Sequence, residues 1–173
     1  MFLKSQLSWN ISIPPEELHL DELKLKKSIY VRLLAEFAEK KATEELGYFI
    51  AVTTVDKVGD GIVRHSGEVV FPVDFSCITF KVFTGEVLRG VVHKIYKHGI
   101  FLRCGPLENV FISNEKMPGY CYVPGENPIF MRDTSKIEKD AEVRFVVIEQ
   151  TFQEDTKEFR AVGGLEGDFL GPM

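Results

Sequence analysis

The stretch of sequence that decides the fold is GEVLRGVVHKIYKHGIFLRCGPLENVFIS, from Gly85 to Ser113. Apolar residues alternate along a first strand, a bend centred on His98-Gly99 follows, and a Gly105-Pro106 turn separates two further short strands. Closely spaced strands joined by such turns predict a small antiparallel barrel. Aromatic and basic residues are scattered along these strands, and a surface that holds single-stranded nucleic acid needs both.

Composition narrows the class of protein. The 173 residues are 45% hydrophobic, which is enough for one domain with a good core or for two small domains. The net charge of -5 means that any binding to nucleic acid must come from a local basic patch or from a larger assembly. No run of 18 apolar residues and no signal peptide is visible, so no membrane association is expected. Cys77, Cys104 and Cys121 are odd in number and widely spaced, which favours free thiols in a reducing compartment.

The first half of the chain predicts a β-α-β-β arrangement. A strand is expected from Phe2 to Trp9, and a helix from Leu23 to Leu46, with Gly47 at its C-cap. Strands rich in β-branched and aromatic residues follow at 48–56 and 69–80, around two glycine-containing turns. The predicted apolar face of the helix consists of Leu25, Ile29, Leu33, Phe37 and Ala38, with Leu34 beside them.

A new set of short strands starts near Phe80-Lys81, which predicts two domains at residues 1–80 and 81–173. The segment from Asn114 to Asp140 is a long polar insertion in the second domain. Loops of this length are usually functional or mobile, and only short, weak helical turns are expected here. The strands of the second domain are predicted at 84–96, 100–103, 109–113, 142–150 and 158–165.

No catalytic constellation is visible. The acidic residues Asp133, Glu138 and Asp140 lie in a polar loop, where such groups are usually just solvated. No GxSxG motif is present, no cysteine has a neighbour that marks it as a nucleophile, and GDG at 59–61 is too short to cradle a phosphate. We therefore expect no enzyme activity, no cofactor and no metal. The four histidines lack an HExxH or paired-cysteine context: His19, His65, His93 and His98.

Several blocks together resemble one family, the seventh subunits of DNA-directed RNA polymerases, including that of RNA polymerase II and its archaeal counterpart. The shared blocks run nearly end to end: GYFIAVTTVDKVGDG at 47–61, FPV at 71–73, FKVFTGEVLRGVVHKIYKHGIF at 80–101, CGPLENVFIS at 104–113 and GLEGDFLGPM at 164–173. Other blocks are similar to the versions found in plant polymerases IV and V: FLKSQLSWNISIPPEEL at 2–18, KKATEELGY at 40–48, MPGYCYVPGENPIFM at 117–131 and EGDFLGP at 166–172.

The resemblance implies a fold of class α+β, with an N-terminal truncated ribonucleoprotein-like tip domain and a C-terminal S1-type OB-fold barrel. It implies a non-catalytic stalk subunit that pairs with a helical fourth subunit and docks on the polymerase core, including the largest and sixth subunits. Such a subunit would contact nascent RNA near the exit channel, in the nucleus. For polymerases IV and V, with V favoured, the product is non-coding RNA for RNA-directed DNA methylation and gene silencing.

The resemblance also implies an RNA-binding surface. S1-type barrels carry rings around the first bend and in the third strand, and here those positions hold His98, Phe101 and Phe111. Each ring offers a face on which a base can stack, but Phe101 and Phe111 are equally compatible with the core of a small barrel. The cations expected to meet phosphates are Lys94, Lys97, Arg103, Lys116 and Arg160, for which ordinary solvated strand faces are the alternative.

The tip turns are the predicted site of docking on the core. Glycines permit positive φ and close approach of another backbone, although alone these segments would be ordinary hairpin turns. The tip residues are Gly59, Asp60, Gly61, Arg64, His65 and Gly67. Three alternatives to the polymerase IV or V reading remain at this point: a polymerase II subunit in mRNA transcription, a free-standing S1-type RNA-binding protein, or a small RNA-processing enzyme.

Overall fold

The computed structural model describes all 173 residues, which divide into two compact units. One unit spans residues 2–81, and the other spans residues 82–173 together with Met1.

The N-terminal unit is an antiparallel sheet with one helix on it. The order of the long strands is β1-β5-β3, short β2 extends the β3 edge, and β4 pairs with β5. Strand β1 is longer than predicted because its pairing with β5 continues four residues beyond Trp9 to Ile13. The elements are β1 (Phe2–Ile13), a 3-10 turn (Pro15–Glu17), α1 (Glu22–Glu39), β2 (Ala42–Thr43), β3 (Gly47–Val58), β4 (Ile62–Val63) and β5 (Val69–Phe80).

Helix α1 begins where the Asp21 side chain accepts a hydrogen bond from the Leu23 amide. It ends at Glu39, earlier than predicted, because Lys40 adopts an extended conformation. Gly47 is therefore not a helix cap: it opens β3 with φ of +81°.

The buried face of α1 is narrower than the sequence predicts. Ile29, Leu33 and Phe37 are buried against the sheet, as expected. Ala38 and Leu34 are exposed, so their assignment to or beside this face was wrong. Successive residues of a helix are rotated by about 100°, and Leu34 therefore lies beyond the stripe that the sheet covers.

Aromatic rings fill the space between α1 and the sheet. The Trp9 ring lies 4.9 Å from Phe75, 5.9 Å from Phe37 and 6.1 Å from Phe49, between ring centroids. The Nζ of Lys40 sits 4.2 Å above the Trp9 ring and covers the edge of this cluster. The fully buried side chains of Ile11 and Phe75 continue the core along β1 and β5.

The C-terminal unit is a closed barrel. Strands β6, β7 and β8 form an antiparallel meander, β12 and β13 form a hairpin, and β13 closes the barrel by pairing in parallel with β8. This is the predicted OB fold, and the α+β class is confirmed. The elements are β6 (Val87–Tyr96), β7 (Gly99–Cys104), β8 (Leu107–Ser113), a 3-10 turn (Asn114–Lys116), β9 (Cys121–Val123), β10 (Ile129–Arg132), β11 (Ser135–Ile137), β12 (Glu142–Gln153), β13 (Glu158–Gly164) and β14 (Gly171–Pro172).

The segment from Asn114 to Asp140 is more ordered than the sequence predicts. After one 3-10 turn it forms a three-stranded antiparallel sheet in the order β11-β10-β9. Phe130 and Ile137 are fully buried, and the hydroxyls of Tyr120 and Ser135 lie 2.9 Å apart. The expectation of weak helical turns alone was wrong, because strands of three or four residues are too short to show a period of two among prolines and glycines.

Candidate nucleic-acid interface

Strand alternation places Phe101 and Phe111 on the outside of the barrel. Their neighbours Ile100 and Leu102 on β7, and Ile112 on β8, are fully buried in the barrel core. Because successive side chains point to opposite faces of a strand, the two phenylalanines project outward. They are half-buried, with ring centroids 5.0 Å apart. The sequence left open whether these two rings lie in the barrel core or on its outer face, and they lie on the outer face.

Three further rings join Phe101 and Phe111. His98, exposed in the bend between β6 and β7, lies 5.7 Å from Phe111, between ring centroids. Tyr96 is stacked on His98 at 5.4 Å and lies 5.9 Å from Phe101. The His93 ring lies 6.3 Å from Phe101. We call these five contiguous rings the ring cluster: His93, Tyr96, His98, Phe101 and Phe111.

A β-bulge brings Tyr96 into the ring cluster. The pairing of β6 with β7 shifts between Val92 and Lys94, so that Lys94 lies opposite Phe101. Simple alternation from the buried Val92 would turn Lys94 and Tyr96 toward the core, but the extra residue at the bulge turns both outward. Tyr96 was missing from the predicted site because the sequence shows no sign of this bulge. His93 was also missing, since its residue type had been considered only as a metal ligand.

Gly99 allows the bend that supports the cluster. Its φ is +156°, and a Cβ at this position would lie 2.3 Å from the Ile112 carbonyl oxygen and 2.8 Å from the Phe111 ring. Only a residue without a side chain lets the bend approach Phe111 this closely. The positions of His98 and Phe111 therefore depend on glycine at position 99.

Four of the five predicted cations are exposed on or beside the outer face. Lys94 on β6 is opposite Phe101 on β7. Arg103 lies two residues after Phe101 and on the same side of β7. Lys97 directly precedes His98 in the bend. Arg160 on β13 is opposite Asn109 on β8. No carboxylate lies within ion-pair distance of these four side chains, whereas Lys116 is paired with Glu166 at 3.7 Å and belongs to neither the ring cluster nor the groove beside it.

A groove of about 580 Å³ runs beside Phe101 and Phe111; we call it the first groove. The hairpin of β12 and β13 forms its other wall, and Arg160 is its one cation. The side-chain oxygen of Gln150 is buried there without a hydrogen-bond partner. Glu149 also lines the groove and weakens the local positive field. The lining is completed by Asn109, Thr151, Gln153, Ala161 and Val162.

Burial lowers the pKa of His93 below its ordinary value, and the nearby charges of Arg103 and Lys94 lower the pKa further. The imidazole is therefore neutral at pH 7. Its Nδ1 is buried and has no hydrogen-bond partner. The neutral His93 ring therefore adds no charge to the ring cluster.

The predicted tip residues lie on the loop between β3 and β5. Asp60, Arg64 and His65 are exposed, and Gly67 has φ of +85°. Gly59 and Gly61 do not adopt positive φ, so that part of the expectation was wrong.

The two tip glycines instead permit close packing within the hairpin. A Cβ on Gly59 would lie 2.5 Å from Pro72 Cγ, and one on Gly61 would lie 2.6 Å from Val69 Cγ1. Ile62 and Val63 on β4, which were not singled out from the sequence, expose about 70% of their surfaces at this tip.

No group of three or more His, Cys, Asp or Glu side chains is arranged to hold a metal ion. None of the helices has the length and apolar character needed to cross a membrane. All three cysteines are free, and burial raises the pKa of Cys77 and Cys104. Cys121 is exposed.

Comparison with known proteins gives a consistent picture. Residues 8–67 match the model of the "SHS2 domain found in N terminus of Rpb7p/Rpc25p/MJ0397". DNA-directed RNA polymerase V subunit 7 of Arabidopsis thaliana is 58% identical over the whole chain and 98% of its own length. DNA-directed RNA polymerase IV subunit 7 of the same plant is 45% identical over the full length of both chains. DNA-directed RNA polymerase II subunit RPB7 of Glycine max is 36% identical over 72% of each chain. The resemblance found from the sequence blocks is thereby confirmed, and the chain belongs to the family of seventh subunits of DNA-directed RNA polymerases.

Proposed function

We propose that this chain is a non-catalytic stalk subunit of a plant RNA polymerase V or IV, with V favoured. The support is full-length similarity to the subunits named for these two enzymes, and the higher identity is to the polymerase V subunit. In this role the chain acts in the nucleus, in non-coding transcription for RNA-directed DNA methylation and gene silencing. Full-length coverage favours a built-in subunit over a free-standing RNA-binding protein.

The test of this assignment is mass spectrometry of the proteins that co-purify with the tagged chain from plant nuclei. The largest subunit of polymerase V or IV is expected among them. Recovery of the largest subunit of polymerase II alone would overturn the assignment and favour a role in mRNA transcription.

Within the polymerase, the outer face of the barrel guides emerging single-stranded RNA. The observation that carries this proposal is the contiguous ring cluster, bordered by the first groove and by the unpaired Lys94, Lys97, Arg103 and Arg160. Bases stack on rings whatever their sequence, and lysine and arginine meet the phosphates. Because the whole chain is acidic and these cations are few, binding is weak and tolerant of sequence. The contacts of these cations with phosphates make the binding dependent on salt.

Fluorescence anisotropy with a labelled, unstructured RNA tests this role, at low and physiological salt. The triple variant Lys94→Ala/Lys97→Ala/His98→Ala is expected to lose most of the binding while remaining folded, because all three side chains are exposed. Its matched control is Lys24→Ala/Lys27→Ala/His19→Ala, which removes the same residue types from the N-terminal unit. Unchanged binding by the first variant would mean that this face is not the RNA path.

The outer side of α1 supports pairing with the helical fourth subunit. Leu23, Val31 and Leu34 each expose more than half of their surface there. Apolar side chains in a helical stripe form a suitable surface for a partner helix. Co-expression with the fourth subunit is expected to give a 1:1 complex on size exclusion. Val31→Glu/Leu34→Glu is expected to abolish that complex, whereas Lys4→Glu/Lys57→Glu, at exposed positions on β1 and β3, leaves it intact. A complex that survives the first change would contradict this interface.

The exposed tip supports docking on the polymerase core, including the largest and sixth subunits. Ile62 and Val63 offer apolar contact there, with Asp60, Arg64 and His65 around them. The loop is narrow because its glycines pack closely against β5. A narrow loop with apolar residues at its end fits a groove between two other subunits.

A further inference from the structure

A second groove, of about 280 Å³, lies on the other side of the ring cluster. One wall is the end of β6, and the other is the turn that joins β9 to β10, with Lys139 beside it. The residues that line this second groove are His93, Lys94, Ile95, Tyr96, Glu126, Asn127, Pro128 and Lys139.

The two grooves are connected through the ring cluster. His93 and Tyr96 line the second groove, and their rings lie 6.3 Å and 5.9 Å from the ring of Phe101. Phe101 in turn lines the first groove. A chain lying across β8, β7 and β6 therefore meets a ring at each step between one groove and the other.

The lining of the second groove has the chemistry of a nucleotide site. Tyr96 exposes 44% of its surface, which leaves ring area for stacking. Asn127 contributes an exposed side-chain amide, which can hydrogen-bond a base or a ribose. Lys94 and Lys139 outnumber Glu126, the one acid of the lining.

The lining favours RNA over a protein segment as the occupant. An apolar peptide would need a largely apolar pocket, and Ile95 and Pro128 are the only aliphatic side chains here. An acidic peptide would meet two lysines but would leave the rings without a stacking partner. A nucleotide uses the rings, the hydrogen-bonding groups and the cations together.

We infer that the second groove is an additional nucleotide-binding subsite, which extends the RNA path from the ring cluster to the turn between β9 and β10. The inference rests on the proposed RNA-binding function of the barrel and adds length to that site. RNA that reaches only the first groove and the ring cluster does not contact Asn127 or Lys139. Longer RNA does, so the contribution of the second groove depends on RNA length.

The test compares two lengths of 5′-labelled oligouridylate, about 5 and about 10 nucleotides, within the range of site sizes known for OB folds. Fluorescence anisotropy is measured with the full-length chain and with the variant Asn127→Ala/Lys139→Glu. Both side chains are exposed and have no hydrogen-bond or ion-pair partner, so the variant is expected to fold normally. Lys57→Glu on β3 makes the same change of charge outside both grooves and serves as the control.

The variant is expected to lose about tenfold in affinity for the longer RNA and to bind the shorter one as the unmodified chain does. Its salt dependence with the longer RNA should be shallower by about one unit of slope, since one phosphate contact is lost. Crosslinking with 4-thiouridine in the longer RNA is expected to label peptides that contain residues 126–139.

Four outcomes would overturn the inference. Equal loss for both lengths would mean a general electrostatic effect. Unchanged binding of both, without crosslinks at 126–139, would mean that RNA stops at the ring cluster while the proposed function stands. Loss of co-purifying polymerase subunits without any change in RNA binding would identify the groove as a protein interface. If the unmodified chain binds neither RNA, the proposed RNA-binding function fails as well.

Discussion

Tyr96 and His98 stack face to face across the bend between β6 and β7, with ring planes 8° apart and centroids separated by 5.4 Å. Both side chains are exposed. The pair therefore presents a ready-made flat surface next to Phe111 and Phe101.

His98→Ala is expected to raise the dissociation constant for single-stranded RNA by roughly 5- to 150-fold, equivalent to ~1–3 kcal/mol for one stacked base. The free energy of unfolding should change little, because the side chain is exposed. His98→Phe keeps a flat ring and should retain most of the affinity. Anisotropy titrations and urea denaturation of the three proteins check this, and equal affinity of all three would show that no base stacks there.

Phe101→Ala is expected to weaken RNA binding while leaving the barrel folded. Leu102→Ala, one residue along β7, removes a fully buried side chain and should cost ~2–5 kcal/mol in the free energy of unfolding. Phe101 is half-buried on the outer face, so its truncation should cost less than that of Leu102. Denaturant titrations of both variants give the comparison. A larger loss of stability for Phe101→Ala would place this ring among the structural residues.

The barrel could be predicted from the sequence because its strands are separated by glycine-containing turns and have alternating apolar residues. The same alternation is ambiguous about which face is inside, which is why Phe101 and Phe111 remained undecided until the burial of Ile100 and Ile112 was known. Tyr96 was missed for a different reason. Its direction depends on the bulge after Val92, and a bulge arises from the pairing of two strands rather than from the sequence of one.

The helix and the tip show a second limit. Leu34 is as apolar as Leu33, but only the arrangement of the sheet decides which of the two is covered. At the tip, glycine suggested positive φ, whereas Gly59 and Gly61 serve close packing against Pro72 and Val69. In each case the residue type was informative, but its role was set by residues distant in sequence.

Stability should depend on His93 as the solution becomes acidic. The pKa of His93 is lowered from 6.5 in the folded protein by burial and by Arg103 and Lys94. The unfolded chain then binds more protons at this site than the folded one. The contribution of neutral His93 to the free energy of unfolding is therefore fully present above pH 6.5 and is lost as the pH falls below it. His93→Gln removes this titration and should show a smaller loss of unfolding free energy between pH 7.5 and pH 5.5 (roughly one unit either side of the ordinary histidine pKa). Urea denaturation at both pH values checks this; parallel losses in the two proteins would mean that His93 does not contribute.

The tip offers a test of core docking that leaves the hairpin intact. Replacing Gly59 and Gly61 by valine would force side chains into Pro72, Val69 and Phe71, so a loss of docking could simply reflect a distorted loop. Ile62→Ser/Val63→Ser avoids this problem, because both side chains are largely exposed and the backbone pairing of β4 with β5 is unaffected.

The double serine variant is expected to keep its free energy of unfolding and its binding to the fourth subunit, but to recover much less polymerase core in co-purification. Val52→Ser/Val55→Ser on β3, which packs partly against the hydrophobic core, is the contrasting change and should lower stability itself. Normal recovery of the core by the Ile62→Ser/Val63→Ser variant would mean that the tip does not carry the docking contact.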